Sequence, residues 1–83
     1  MEKLRAGLAE RIREVREDFY GESGAQFLAD ALGIELETWT NYERGVMIPA
    51  VVVLKLIDIT MASPHWLLTG KGSKYLDRRS YGR

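Results

Sequence analysis

The 83-residue chain contains no cysteine, which excludes a disulfide framework, a thiol nucleophile and a cysteine-based zinc site. Its one histidine, His65, has no partner in the sequence for a ligand or catalytic role, so neither a metal nor a cofactor is expected. No apolar run approaches the roughly 18 residues of a membrane span. Charge from Glu2 onward leaves no room for a signal-peptide core, so the expected address is cytoplasmic, with no membrane partner. Catalytic patterns are missing as well. Ser23, Ser63, Ser73 and Ser80 lack a local nucleophile signature. Glu35 and Glu37 would stand roughly 200° apart around a helix rather than as a carboxylate pair. Gly70, Gly72 and Gly82 match no phosphate-loop spacing. An enzyme is not expected, and no small-molecule substrate is evident.

Net charge is absent too, since twelve bases cancel twelve acids. The balance is uneven along the chain. Residues 1–18 carry five of each sign. Residues 19–69 carry only Arg44 and Lys55 against six acids. Residues 70–83 carry Lys71, Lys74, Arg78, Arg79 and Arg83 against Asp77. A basic terminal arm is a common nucleic-acid footprint, and a solvated tail that keeps the protein soluble explains it equally well. At 46% hydrophobic and 29% charged the chain has a globular composition. One small domain with a thin core is what this length can build.

Leu4, Leu8, Ile12, Val15 and Phe19 recur at spacings of three and four, one face of a first helix. Gly21, Ser23 and Gly24 form a connector. A short second helix runs through Phe27, Leu28, Ala31 and Leu32 to a stop at Gly33, and a third runs from Glu35 through Trp39 and Tyr42 to Gly45. The stretch from Val51 to Ile59 is rich in β-branched residues, yet strand alternation fails and Lys55 and Asp58 share a helical face. It is expected as helix four, with Val53, Leu54, Ile57 and Met61 toward the core. Val52, Leu56 and Ile59 fall on a neighbouring stripe, expected either to form a homodimer interface or to be covered by a fifth helix and the tail, through Tyr75 and Leu76. Ser63-Pro64 opens a fifth helix, and Gly70 closes it. The expected class is all-α: five helices in a domain 1–70, followed by a basic tail 71–83.

Four segments carry something more specific. Arg11-Ile12-Arg13-Glu14-Val15-Arg16, Leu28-Ala29-Asp30-Ala31-Leu32-Gly33-Ile34, Asn41-Tyr42-Glu43-Arg44-Gly45 and Trp66-Leu67-Leu68-Thr69-Gly70 occur in that order. Together, over about residues 4–70, they resemble the phage-repressor or Xre-type family of lambda-repressor-like helix-turn-helix domains. The resemblance implies a five-helix, usually homodimeric regulator of transcription that binds double-stranded DNA sequence-specifically. It implies a recognition helix at 35–43 with Leu36, Glu37, Thr40 and Asn41 reading bases and Gln26 and Arg44 near phosphates, to which the charge of the tail adds Lys71 and Lys74 as phosphate candidates. It also implies Trp39 in the core and a pair between Glu43 and Arg16. Two positions depart from the family: Glu35 stands where a serine or threonine is usual, and Ala25 where a glutamine is usual, with Gln26 one place over. Glu35 beside phosphates would cost on the order of 1 kcal/mol after screening. The second expectation is therefore a helix-turn-helix fold used as a protein-interaction module, with DNA reading weakened.

Overall fold

A computed structural model describes residues 2–76, with side chains described from residue 7 onward. Five helices follow in order: α1 (Glu2–Tyr20), α2 (Ala25–Leu32), α3 (Leu36–Glu43), α4 (Ala50–Thr60) and α5 (Pro64–Thr69). No strand occurs among the described residues, only an isolated antiparallel bridge between Ala62 and Tyr75. The all-α expectation therefore holds, and 51–59 is helical.

The core is built by the stripe that periodicity picks out on α1. Ile12 and Val15 are buried against Leu28 and Leu32 of α2, Trp39 of α3, Leu56 of α4 and Trp66 and Leu67 of α5. Phe19 departs from that stripe: it is exposed, and its ring meets Tyr75 edge-on at 5.6 Å. The Leu4 side chain lies outside the described residues. Between α1 and α2 the backbones come so close that a Cβ on Gly24 would sit 2.1 Å from the Tyr20 carbonyl oxygen. Only glycine fits there.

Helix α4 is turned part of the way from the expected orientation: Ile57 is buried and Val53 packs against the core, as expected. Val52 and Leu56 are 7% and 1% exposed, so these two dimer candidates belong to the core and are unavailable to a second subunit. Ile59 is half-buried. Leu54, expected inside, is 65% exposed, and Val51 is 58% exposed. The physical reason is that, outside the edge marked by Lys55 and Asp58, α4 is apolar, so periodicity alone does not fix the centre of its inner face. Thr60 lies on the inner face as well. Its hydroxyl donates to the Leu56 carbonyl at 2.8 Å and accepts from the Ala62 amide at 3.2 Å, so it is buried without an unpaired polar group.

Helix α5 is capped at both ends. Ser63 Oγ accepts from the Trp66 amide at 3.2 Å, with Pro64 in the first turn. At the other end Arg11 of α1 donates through Nε to the Leu67 carbonyl at 2.6 Å and through Nη2 to Leu68 at 3.0 Å. Those carbonyls have no partner within the helix.

Past Gly70 the chain folds back instead of leaving. Ser63 donates its amide to the Lys74 carbonyl at 2.8 Å, and Leu76 donates to Met61 at 2.7 Å. Lys74 Nζ lies 2.9 Å from both Glu14 and Asp18, and the Tyr75 hydroxyl donates to Asp18 at 2.6 Å. Residues 74–76 are thus strapped to α1 and belong to the body of the domain. Asp77, Arg78, Arg79 and Arg83 lie outside the described residues.

The strap has a pH window. The Tyr75 hydroxyl, followed by Lys74, holds the Asp18 carboxyl below its usual range. Burial, followed by Asp18, raises the Tyr75 phenol above its own. The Asp18 contribution is present above the ordinary carboxylate pKa of about 4 and fades as pH falls through the lowered value. The Tyr75 contribution is present below about pH 10 and fades as pH rises through the raised value. Hydrogen exchange should show the Ser63 and Leu76 amides losing protection on the acid side before the helices do. In Asp18→Asn those two amides should exchange severalfold faster at neutral pH, with that acid-side step abolished.

Candidate nucleic-acid interface

The chain between α2 and α3 is a three-residue turn. Gly33 takes a left-handed φ of 74°, and its amide donates to Asp30 while that of Ile34 reaches back to Ala29. This closes the end of α2 in the way glycine makes cheap. Glu35 is extended and caps α3 with its backbone alone, its side chain making no cap bond. The helix expected at 35–43 therefore begins at Leu36, with Glu35 just outside.

Trp39 and Tyr42 fix the inner face of α3, both buried with rings edge-to-face at 6.2 Å. At 100° per residue, positions 37, 40, 41 and 44 then fall on the outer side. Glu37 and Arg44 are exposed, and Thr40 and Asn41 are half-buried. Leu36 is exposed along one edge. Thr40 donates its hydroxyl hydrogen to the Leu36 carbonyl at 2.9 Å, which leaves an acceptor and a methyl group to face outward. The four expected base-reading residues are thus brought together on one helix, Leu36 at the flank.

A buried charge holds this helix in place. Arg16 of α1 is only 7% exposed. It grips Glu43 with two parallel bonds, Nε to Oε2 at 3.0 Å and Nη2 to Oε1 at 2.9 Å. Nη1 donates to the carbonyls of Gly21 at 3.0 Å and Glu22 at 2.7 Å. The Trp39 indole N–H also donates to Glu43. The expected Arg16–Glu43 pair and the core position of Trp39 are both present, and one carboxylate joins them. The guanidinium is held above its ordinary pKa chiefly by the bond to Glu43, against the opposing effect of burial.

The phosphate candidates divide. Arg44 projects into solvent directly beyond α3, and Lys71 is exposed. Gln26 is exposed on α2, its amide N–H engaged by Asp30 at 2.8 Å. Lys74 is a correction. Its ammonium is neutralised by Glu14 and Asp18, which lie roughly 150° around α1 from the Arg13 and Arg16 side that meets α3. It is therefore neither free nor on the α3 side of α1. Arg13 takes its place, half a turn from Lys74's partners: its Nη2 lies 3.4 Å from the Glu43 carbonyl, and its side chain stays 48% exposed. The sequence signal was the spacing of Arg13 and Arg16, which puts them on one flank while Arg11 falls on the other. The result is an electrically polar helix, acidic at its start (Glu35, Glu37) and basic at its end (Arg44, Arg13).

Among the described residues there is no group of three or more His, Asp or Glu side chains able to hold a metal. No helix there is long and apolar enough to cross a membrane. No family model, curated protein or solved structure matches the chain.

The node sets a stability expectation. Glu43→Ala leaves Arg16 buried and unpaired and should cost about 3 kcal/mol in urea unfolding. Replacing both partners, as Arg16→Met with Glu43→Leu, should cost less than Glu43→Ala alone, because no uncompensated charge remains.

Proposed function

We propose that this chain is a sequence-specific double-stranded DNA-binding regulator of the repressor type, a lambda-repressor-like helix-turn-helix domain in which α3 enters the major groove. The observation that carries the reading is the division of labour on α3. Trp39, Tyr42 and Glu43 anchor one side, while Glu37, Thr40, Asn41 and Arg44 stand together on the other. A helix can read a major groove about 12 Å wide only if it is held by one face and bare on the other.

The chemistry on the bare face suits bases. Asn41 offers the donor and acceptor that adenine N7 and N6 require, and Glu37 accepts from cytosine N4. Thr40, its hydrogen committed to Leu36, presents its methyl group to a thymine methyl, as Leu36 does from the edge. Arg44 and Arg13 supply phosphate contacts at the basic end, with the Gln26 amide and Lys71 as further candidates. On this reading the protein acts as a homodimer in the cytoplasm.

A second reading is favoured by a specific observation. Phe27 is 68% exposed on α2, and α3 opens on the exposed acids Glu35 and Glu37, features suited to a protein partner. In that reading the fold is an interaction module with weak or lost DNA binding.

Selection of duplexes from a random pool, followed by titration, separates the two. The DNA reading expects an enriched half-site and binding tighter than about 1 µM at about 50 mM salt. Asn41→Ala should relax the preference at one position and cost about 1–3 kcal/mol, whereas Arg44→Ala should weaken all sequences alike and lower the salt slope by about one unit. Glu35→Ser should tighten binding about fivefold, the equivalent of about 1 kcal/mol. Binding no tighter than micromolar, with Glu35→Ser silent and a stoichiometric protein partner recovered, would overturn the DNA reading in favour of the second.

A further inference from the structure

Three neighbours on the outer side of α3 make a patch of mixed chemistry. Thr40 lies three residues after Glu37 and four after Leu36. At 100° per residue it falls between them around the axis, about 40° from Leu36 and about 60° from Glu37. Residues so spaced hold their Cβ atoms about 5–6 Å apart, close enough for all three to address one base. Leu36 and Glu37 are exposed, and Thr40 is half-buried. None of the ion pairs among the described residues uses Glu37. The Thr40 hydroxyl gives its hydrogen to the Leu36 carbonyl at 2.9 Å. That bond holds χ1 in one of the few rotamers open to a helical threonine, so its methyl group has a fixed direction. A carboxylate that only accepts thus adjoins two apolar groups.

We infer, resting on the DNA reading, that this patch reads 5-methylcytosine, and that the preferred duplexes carry this base at the position facing Glu37. Each unmodified base meets only part of what the patch offers. Cytosine presents its N4 donor to the carboxylate but has only a hydrogen at C5 for Leu36 and Thr40. Thymine brings the C5-methyl group but sets its O4 acceptor against the carboxylate, which has no hydrogen to give. Adenine offers an N6 donor beside the N7 acceptor and carries no methyl group, and guanine shows two acceptors. 5-Methylcytosine joins the N4 donor and a methyl group on adjacent ring atoms, as Glu37 adjoins Leu36 and Thr40 on the helix.

Duplex selection with the full chain tests this, run in parallel on a random pool of unmodified DNA and on one made with 5-methylcytosine in place of cytosine. The enriched site is then titrated with each cytosine methylated singly. At one cytosine per half-site, methylation should tighten binding about fourfold, the equivalent of about 0.8 kcal/mol. Thymine at that position should bind at least about tenfold more weakly than 5-methylcytosine, the size of one hydrogen bond to a charged group.

Variants assign the effect to the patch. Thr40→Ser keeps the hydroxyl and removes the methyl group, and Leu36→Ala removes the flanking apolar surface. The double variant carrying both should bind methylated and unmethylated duplexes within about 1.5-fold of each other. Glu37→Gln, which donates as well as accepts, should bring thymine to within about threefold of 5-methylcytosine while the gain from methylation persists. Each ratio is taken within one variant, so a change in overall affinity cancels, and far-UV circular dichroism checks folding. A specific site that no cytosine methylation tightens, a methylation gain that survives the double variant, or thymine still rejected by Glu37→Gln would each overturn the inference and leave the DNA reading standing. No enriched site from either pool would overturn the DNA reading and this inference with it.

Discussion

A guanidinium drawn almost wholly out of water must be met by an opposite charge and by acceptors for its remaining hydrogens, and that requirement at Arg16 organises the molecule. Glu43 supplies the charge at the last turn of α3, and the Gly21 and Glu22 carbonyls supply acceptors from the connector after α1. One side chain thus fixes where α3 ends against α1 and how the chain enters α2. The Trp39 indole bonds to the same carboxylate, so the largest core side chain and the buried charge share one partner. Such a node is a poor source of net stability compared with an apolar replacement. What it gives is one permitted rotation of α3, and that rotation decides which side chains face outward.

Helix α1 is the axis around which this is arranged. Its two charged flanks do different work. Arg13 and Arg16 reach α3, while Arg11 caps α5, and Glu14 with Asp18 holds the strap through Lys74 and Tyr75. A helix whose polar face reads as solvated decoration turns out to join elements 27 to 57 residues away along the chain. A core this thin leaves helix ends close to the surface, where orphan carbonyls need partners. Arginine, with five donors on a long stem, is suited to supply them.

What the sequence made legible follows from how local each signal is. Helix stops at Gly33 and Gly70 and the cap at Ser63-Pro64 rest on local patterns and were readable, whereas the buried Trp39 came only from the resemblance. The Arg16–Glu43 pair spans the chain and was readable only through resemblance. The inner face of α4 was only partly readable, because Lys55 and Asp58 mark one outer edge while Val51, Val52, Val53, Leu54, Leu56, Ile57 and Ile59 crowd the rest of the circumference. Thr60 lies on the inner face with its hydroxyl bonded to the Leu56 carbonyl, and periodicity counts such a residue as polar. Lys74 was misread for a related reason. Read by composition it is one more base in a basic tail, and only the fold brings it onto two acids near the end of α1.

These corrections change the electrostatic argument for the candidate interface. With Arg11 and Arg16 bonded internally and Lys74 neutralised, the described bases near α3 reduce to Arg44 and Arg13, both at its C-terminal end, and Arg13 is itself partly engaged by Glu43, its Nε 3.8 Å from the carboxylate. Glu35 and Glu37 occupy the other end. A polyanion approaching this surface is attracted at one end of α3 and repelled at the other, so the field favours one tilt of the helix in the groove. The acidic start is also where the helix dipole presents its positive end, and each carboxylate there offsets part of the attraction that bare amides would give a phosphate. Phosphate affinity and helix stability pull in opposite directions at Glu35 and Glu37. At Glu35, just outside the helix with no hydrogen bond to its cap, the loss to stability from removing the charge is the smaller of the two.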